Sequence, residues 1–133
     1  DLNIFEDGKE SRDFVFISDV VDATISGIEM TEAENEVFNV GCGIATDVLT
    51  VAETLVAKYQ KEIPLHITGS YRLGDIRHNY ADLTKIKTML GFTPKINFEK
   101  GITRFVAWVN DQDVIENKYE DSLQEMRQKG LFK

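Results

Sequence analysis

Arg72, Asp75, Arg77, His78 and Asp82 crowd around one glycine, Gly74, in a chain that is otherwise acidic. Arginine is suited to a phosphate because it is permanently charged, planar and able to donate two parallel hydrogen bonds. An aspartate three residues further on can accept hydrogen bonds from the vicinal hydroxyls of a sugar. Gly74 permits a tight turn at positive φ or a close approach of backbone to ligand. The same residues also fit a solvated turn whose arginine and aspartate pair with each other, and their types alone do not separate the two readings. Arg12 is a second candidate cation. It stands just before the apolar run Phe14-Val15-Phe16-Ile17, which places it at a sheet edge, where clefts form.

Helical periodicity begins at Leu83, so the cluster sits on a loop entering a helix, a common position for binding residues. The 133 residues make one domain's worth of chain, enough for a real core but short for a two-lobed cofactor enzyme. Fifteen Lys and Arg against 23 Asp and Glu give a net charge of -8. That balance argues against a nucleic-acid partner, whose phosphates must be met by a basic surface. It leaves room for a small anion where positive charge is gathered locally. The single cysteine, Cys42, allows no internal disulfide and points to a reducing cytoplasm. Between Gly41 and Gly43 it reads as a small half-buried residue rather than a nucleophile. No apolar run reaches membrane-spanning length, so no membrane partner is expected. No histidine has a partner at metal-ligand spacing, so no metal site is expected. The chain starts at Asp1 in strand-like sequence and reads as a piece of a longer polypeptide.

Alternation predicts short strands at Leu2-Asn3-Ile4-Phe5, Val37-Phe38-Asn39-Val40 and Leu65-His66-Ile67-Thr68, and the aromatic, β-branched run at 14–17 predicts a buried strand. Glu6 to Lys9 reads as a turn. Ser18 or Asp19 is expected to cap a helix carrying Val20, Val21, Ala23, Thr24 and Ile28, with a polar connection from Thr31 to Glu36. Gly41-Cys42-Gly43 lacks the third glycine of a dinucleotide fingerprint and reads as a turn. Asp47 is expected to cap a helix with the stripe Val48, Val51, Ala52, Leu55, Val56 and Tyr59. A short helix follows at 83–90, with Gly91 as its left-handed C-cap and Pro94 blocking continuation. Asn97 then caps a helix whose core face is Ile102, Phe105, Val106 and Val109, with Trp108 at its edge. A final helix within 113–129 presents Ile115, Tyr119, Leu123 and Met126. The fold class is α/β, short strands with flanking and C-terminal helices. Residues 1–112 form one lobe, and 113–133 are its C-terminal helix and tail.

Taken together, Ser11-Arg12-Asp13-Phe14-Val15-Phe16-Ile17-Ser18-Asp19-Val20, Val37-Phe38-Asn39-Val40-Gly41-Cys42-Gly43, the stretch Gly74 to Lys85 and Leu90-Gly91-Phe92-Thr93-Pro94-Lys95 resemble the C-terminal part of extended short-chain dehydrogenase/reductases. These are the nucleotide-sugar epimerases and dehydratases, and the resemblance runs from about Leu2 to Trp108. Within them, Thr68 to His78 and Lys129-Gly130-Leu131-Phe132 look most like the 4-epimerases acting on dTDP-L-rhamnose or UDP-glucose/galactose. The resemblance implies the small substrate-binding lobe of a Rossmann-type enzyme. Arg12 and Arg72 would grip the diphosphate of a nucleotide sugar from two sides, Asp75 would hold the ribose hydroxyls, and the backbone of Asn3 and Phe5 would border the base. Phe14 stands where relatives often carry a tyrosine, so a hydroxyl contact is lost there. Arg77 and His78 belong to the motif without an assigned role.

In such enzymes NAD is held by a glycine-rich turn and a Tyr-x-x-x-Lys pair does the acid–base chemistry. Neither occurs here: four residues after Tyr59, Tyr71, Tyr80 and Tyr119 stand Ile63, Asp75, Thr84 and Leu123. The expectation is a chain with no catalytic residue of its own, NAD being bound by the missing N-terminal part, through which a homodimer would also form. Three functions follow. The first is the substrate-binding portion of an NAD-dependent 4-epimerase, with a 4,6-dehydratase or decarboxylase as its variant. The second is a stand-alone nucleotide-sugar binder. The third is an interaction module using the last helix.

Overall fold

The computed structural model describes residues 1–113 and 116–133. Ten short elements follow in order: β1 (Leu2–Ile4), β2 (Ser11–Asp13), α1 (Ile17–Glu29), a single 3-10 turn (Thr31–Ala33), β3 (Ala45–Asp47), α2 (Val48–Tyr59), β4 (Leu65–Ile67), α3 (Thr84–Leu90), α4 (Phe98–Asn110) and α5 (Tyr119–Gln128). β1 pairs parallel to β4, with Asn3 opposite His66, and β2 pairs antiparallel to β3, with Arg12 opposite Thr46. Two-stranded sheets of this size are marginal alone. The helices therefore carry the packing: Ala23 of α1, Ile86 and Leu90 of α3, and Phe92 make one buried cluster, covered by Met30, Phe38, Val40 and Leu83.

Several local expectations hold. The Asp47 carboxylate accepts from the Thr50 N–H at 2.7 Å and the Asn97 side chain from Lys100 N–H at 3.0 Å, each quenching an orphan donor at a helix start. Gly91 closes α3 in the left-handed region at φ 64°. Two predicted strands are absent. Phe14 to Phe16 run between β2 and α1 without strand pairing. Phe14 meets Phe98 edge-on at 5.5 Å and Phe16 lies 5.4 Å from the Arg104 guanidinium, so these rings pack sideways on α4 instead of entering a sheet. Phe38 and Val40 do lie on the core, but 37–40 has no strand pairing among the described residues. On α4, Val106 is buried as expected, whereas Phe105 is 47% exposed and stacks with Trp108 at 5.9 Å. Ile115 lies outside the described residues. Leu123 of α5 is buried within this chain, so that helix packs on its own fold.

The α1 cap also differs. Phe16 occupies the cap position with no side-chain hydrogen bond. Asp19, only 1% exposed, sits in the first turn and accepts from the backbone N–H of Lys95 at 3.1 Å and of Ile96 at 3.0 Å. Its charge also lies at the positive end of the helix. It is thus a bolt between α1 and the segment before α4. Asp19→Ala should cost about 2–4 kcal/mol, since it strands the buried Ile96 N–H and the half-buried Lys95 N–H. Urea unfolding reads this directly, and a midpoint unchanged from wild type would show that the bolt is dispensable.

Gly41 is required for a different reason. A Cβ there would stand 2.4 Å from Asp13 Oδ2 and 2.7 Å from the Ala81 Cβ. Neither neighbour is a free side-chain end, so the backbone must shift. Gly41→Ala is expected to destabilise by about 2 kcal/mol, within the range for overpacking, and to lower the thermal midpoint. A midpoint within a degree of wild type would refute it.

Candidate functional site

Parallel pairing of β1 with β4 brings the carboxyl ends of both strands to one edge, the edge where α/β folds place ligands. Phe5 follows β1 there, and the loop carrying Arg72 follows β4. The join continues past the strands, because Thr68 N–H donates to the Ile4 carbonyl at 2.8 Å and Glu6 N–H to the Ser70 carbonyl at 2.8 Å. β2 closes the other side. Ser11 N–H donates to the Arg77 carbonyl at 2.9 Å and Asn79 N–H to the Ser11 carbonyl at 3.1 Å, which fixes the next residue, Arg12, across from the Arg72 loop.

The result is a cleft of about 150 Å³. Asn3, Phe5, Arg12, Arg72 and Asp75, the five residues singled out from the sequence, all line it, together with Glu6, Glu10 and Val48. Arg12 donates through Nη1 to the carbonyls of Ser11 at 2.8 Å and Arg77 at 3.2 Å. It has no carboxylate at ion-pair distance among the described residues. Its charge is held in place but not neutralised. Arg72 pairs with Asp75, Nη2 to Oδ2 at 2.7 Å and Nε to Oδ2 at 2.8 Å, and lies 5.9 Å from the Phe5 ring centre. Gly74, at φ 87°, makes the turn that folds Asp75 back onto Arg72.

Arg77, His78 and Asp82 do not line this cleft. Arg77 is a clamp for the turn after β1, with Nη1 at 2.7 Å from Glu6 and Nη2 at 2.7 Å from Asp7, and Glu10 at 3.5 Å. Its hydrogen bonds and charge hold the Asp7 carboxyl below its ordinary pKa. Glu10 moves the other way: burial first, then hydrogen bonding and repulsion from Glu6, raise its pKa. The three carboxylates could group around a metal ion, but the guanidinium already occupies their centre. His78 Nδ1 meets Ser11 Oγ at 2.9 Å. The Asp82 carboxylate accepts from Thr84 N–H at 2.9 Å at the start of α3, and the hydrogen bonds from Thr84 lower its pKa.

The Gly41-Cys42-Gly43 turn is an anion nest turned inward. Asp13 Oδ1 accepts from Cys42 N–H at 2.6 Å, and Oδ2 accepts from Gly43 N–H at 2.9 Å and Ala81 N–H at 3.1 Å. Burial raises the Cys42 thiol pKa, and the Asp13 carboxylate raises it further, so the thiol stays protonated. A dinucleotide pyrophosphate needs such donors free. Here the chain's own carboxylate has taken them, so this turn does not fit NAD.

Sequence reasoning missed Glu6, Glu10 and Val48 as lining residues and missed the pairing of the C-terminal tail with the Arg72 loop. Tyr71 N–H donates to the Lys133 carbonyl at 2.7 Å, Lys133 N–H to the Tyr71 carbonyl at 3.0 Å, and Leu73 N–H to the Leu131 carbonyl at 2.8 Å. Gly130, a glycine shortly after a helical pattern, was the available signal for that reversal.

Comparison with known proteins places the chain among relatives of one family. The sequence model of the GDP-mannose 4,6 dehydratase family matches residues 2–105. A dTDP-L-rhamnose 4-epimerase of Burkholderia thailandensis is 35% identical over 108 residues, 81% of this chain and 30% of that protein. Among solved structures, the UDP-glucose 4-epimerase of Thermotoga maritima, determined with UDP-glucose, superposes with a TM-score of 0.76 at 34% identity, covering 83% of this chain and 35% of its own. MoeE5, determined with UDP-glucuronic acid and NAD, gives a TM-score of 0.74 at 28% identity, covering 82% and 36%. The chain therefore spans about a third of the length of the relatives it matches. No helix among the described residues is long and apolar enough to cross a membrane.

Proposed function

This chain belongs to the GDP-mannose 4,6 dehydratase family, and from that membership we propose that it is the substrate-binding portion of an NAD-dependent nucleotide-sugar epimerase acting on a dTDP- or UDP-sugar. The observation that carries the reading is the convergence of Arg12, Arg72, Asp75, Asn3 and Phe5 on one cleft at the carboxyl ends of a parallel strand pair. Arg12 and Arg72 meet the two phosphates. Asp75 accepts from the ribose hydroxyls, and the Asn3 and Phe5 backbone borders the base. Residues 1–112 form this lobe, and 113–133 are its C-terminal helix and tail.

NAD, when bound, supplies hydride transfer, and we place it on a part of the enzyme beyond these 133 residues, in the cytoplasm. This chain's own contribution is to fix the nucleotide so that the sugar projects out of the cleft. A guanidinium held by two backbone carbonyls needs no reorganisation to receive a phosphate, which favours Arg12 as the anchor.

The test is calorimetric titration of UDP and dTDP into the full-length polypeptide that carries this sequence. Saturable binding of either one supports the proposal, and binding of neither overturns it. Product analysis then separates the reactions. An epimer retains every atom of the sugar, whereas the 4,6-dehydration named by the family loses water and the decarboxylation seen in another relative loses carbon dioxide.

A further inference from the structure

We propose that the C-terminal tail is a strap that positions Arg72 for the diphosphate, with Phe132 as its positioning residue. This rests on the binding reading above. Residues 129–133 lie outside the segment that the family model matches.

The device begins at the end of α5. Leu131 N–H donates to the Met126 carbonyl at 2.9 Å and Gly130 N–H to the Arg127 carbonyl at 3.0 Å, with Gly130 at φ 69°. This is a Schellman closure, which reverses the chain at a residue that only glycine fills without strain. The reversal lays 131–133 antiparallel along 71–73, with Phe132 directly opposite Arg72. Three backbone hydrogen bonds join the two segments. The Phe132 ring meets Phe5 edge-on at 5.2 Å, and the Arg127 guanidinium lies 5.4 Å from the Phe132 ring centre. Phe5 in turn faces Arg72.

Tyr71, Arg72, Leu73, Gly74 and Asp75 are all exposed. Between the anchors at Ser70 and Arg77, the backbone bonds that tie this loop to another part of the chain are, among the described residues, those from the tail. Without them the residues on either side of Arg72 return to solvent, and each freed residue regains conformational entropy that binding must remove again.

The experiment uses the full-length polypeptide with residues 131–133 deleted, and separately Phe132→Ala and Phe132→Tyr. UDP and dTDP binding is measured by calorimetry, and amide hydrogen exchange is followed at Tyr71 and Leu73. The deletion should weaken binding on the order of tenfold, the loss expected when a preorganised contact must be ordered on binding. It should also speed exchange at Tyr71 and Leu73, while the amides of Cys42 and Ile96, held by Asp13 and Asp19, keep their protection. Phe132→Ala should follow the deletion in part, and Phe132→Tyr should restore both readouts. Affinity within twofold of wild type in the deletion, or unchanged exchange at Leu73, overturns the strap while leaving the binding reading intact. If wild type binds neither nucleotide, the binding reading falls and the positioning claim falls with it. Should the deletion lose its folded core, Phe132→Ala decides by the same two measurements.

Discussion

Arg12→Ala and Arg72→Ala should each weaken binding of UDP or dTDP by about 10- to 100-fold, the loss of one charge-assisted contact worth roughly 1.5–3 kcal/mol. The two arginines start from different states. Arg12 is held by carbonyls alone, so its charge is available at once. Arg72 is paired with Asp75, and a ligand must share or displace that carboxylate. The side chains of this pair are 48% and 35% exposed. Exposed pairs of this kind contribute about 0–1 kcal/mol, less than the phosphate contact that would replace it. The pair is therefore no barrier to binding, and an arginine and aspartate that pair in the free protein are compatible with a ligand site.

The same comparison supplies a control. Asp75→Ala should weaken the nucleoside diphosphate, which needs the ribose contact, while leaving inorganic pyrophosphate no weaker than before. Arg72→Lys keeps the charge but loses the planar fork, so it should recover only part of the affinity. Equal affinity for UDP in wild type and in both alanine variants would remove the arginines from the site.

Local chemistry was readable and non-local pairing was not. Asp47, Asn97 and Gly91 act through bonds to residues a few positions away, so their roles follow from sequence spacing. Phe14 to Ile17 and Val37 to Val40 have strand-like composition, but a strand exists only where another backbone pairs with it. In this chain the aromatic run meets α4 side-on, and 37–40 has no strand partner among the described residues. Asp19 looked like a cap because its type and place fit one. Its actual partners are more than seventy residues away, where no local rule reaches. Arg12, Arg72 and Asp75 stood out by residue type and position, Asn3 and Phe5 through a motif resemblance whose spacing reflects a whole fold, and all five line one cleft. The tail Lys129 to Phe132 was part of the resemblance too, but its pairing with the Arg72 loop joins segments some sixty residues apart, as far beyond local rules as the partners of Asp19.

Asp13→Ala should rank with Asp19→Ala as the most damaging of the stability changes, at about 3 kcal/mol, because it leaves three backbone donors from two separate segments without their acceptor. Burial works to raise the Asp13 pKa, yet the neighbouring Cys42 side chain and hydrogen bonds from the N–H groups of Cys42, Ala81 and Gly43 outweigh it and hold the carboxyl below its ordinary value. The sign of the pH dependence follows. A carboxyl depressed in the folded state gives its full stabilisation above its unfolded value, near about pH 4, and loses it as pH falls towards the folded value. Asp47, whose pKa is lowered chiefly by hydrogen bonds from Thr50, acts in the same direction. Glu10, raised by burial, acts in the opposite one, since protonation relieves it. Wild type should thus lose stability on acidification from about pH 5 to pH 3. Asp13→Asn should begin lower at pH 7 and show a shallower acid slope, because one of the protons taken up on unfolding is gone. Urea midpoints measured at several pH values for both proteins make the comparison. Parallel slopes would mean that the nest at Gly41 to Gly43 holds Asp13 by shape rather than by charge.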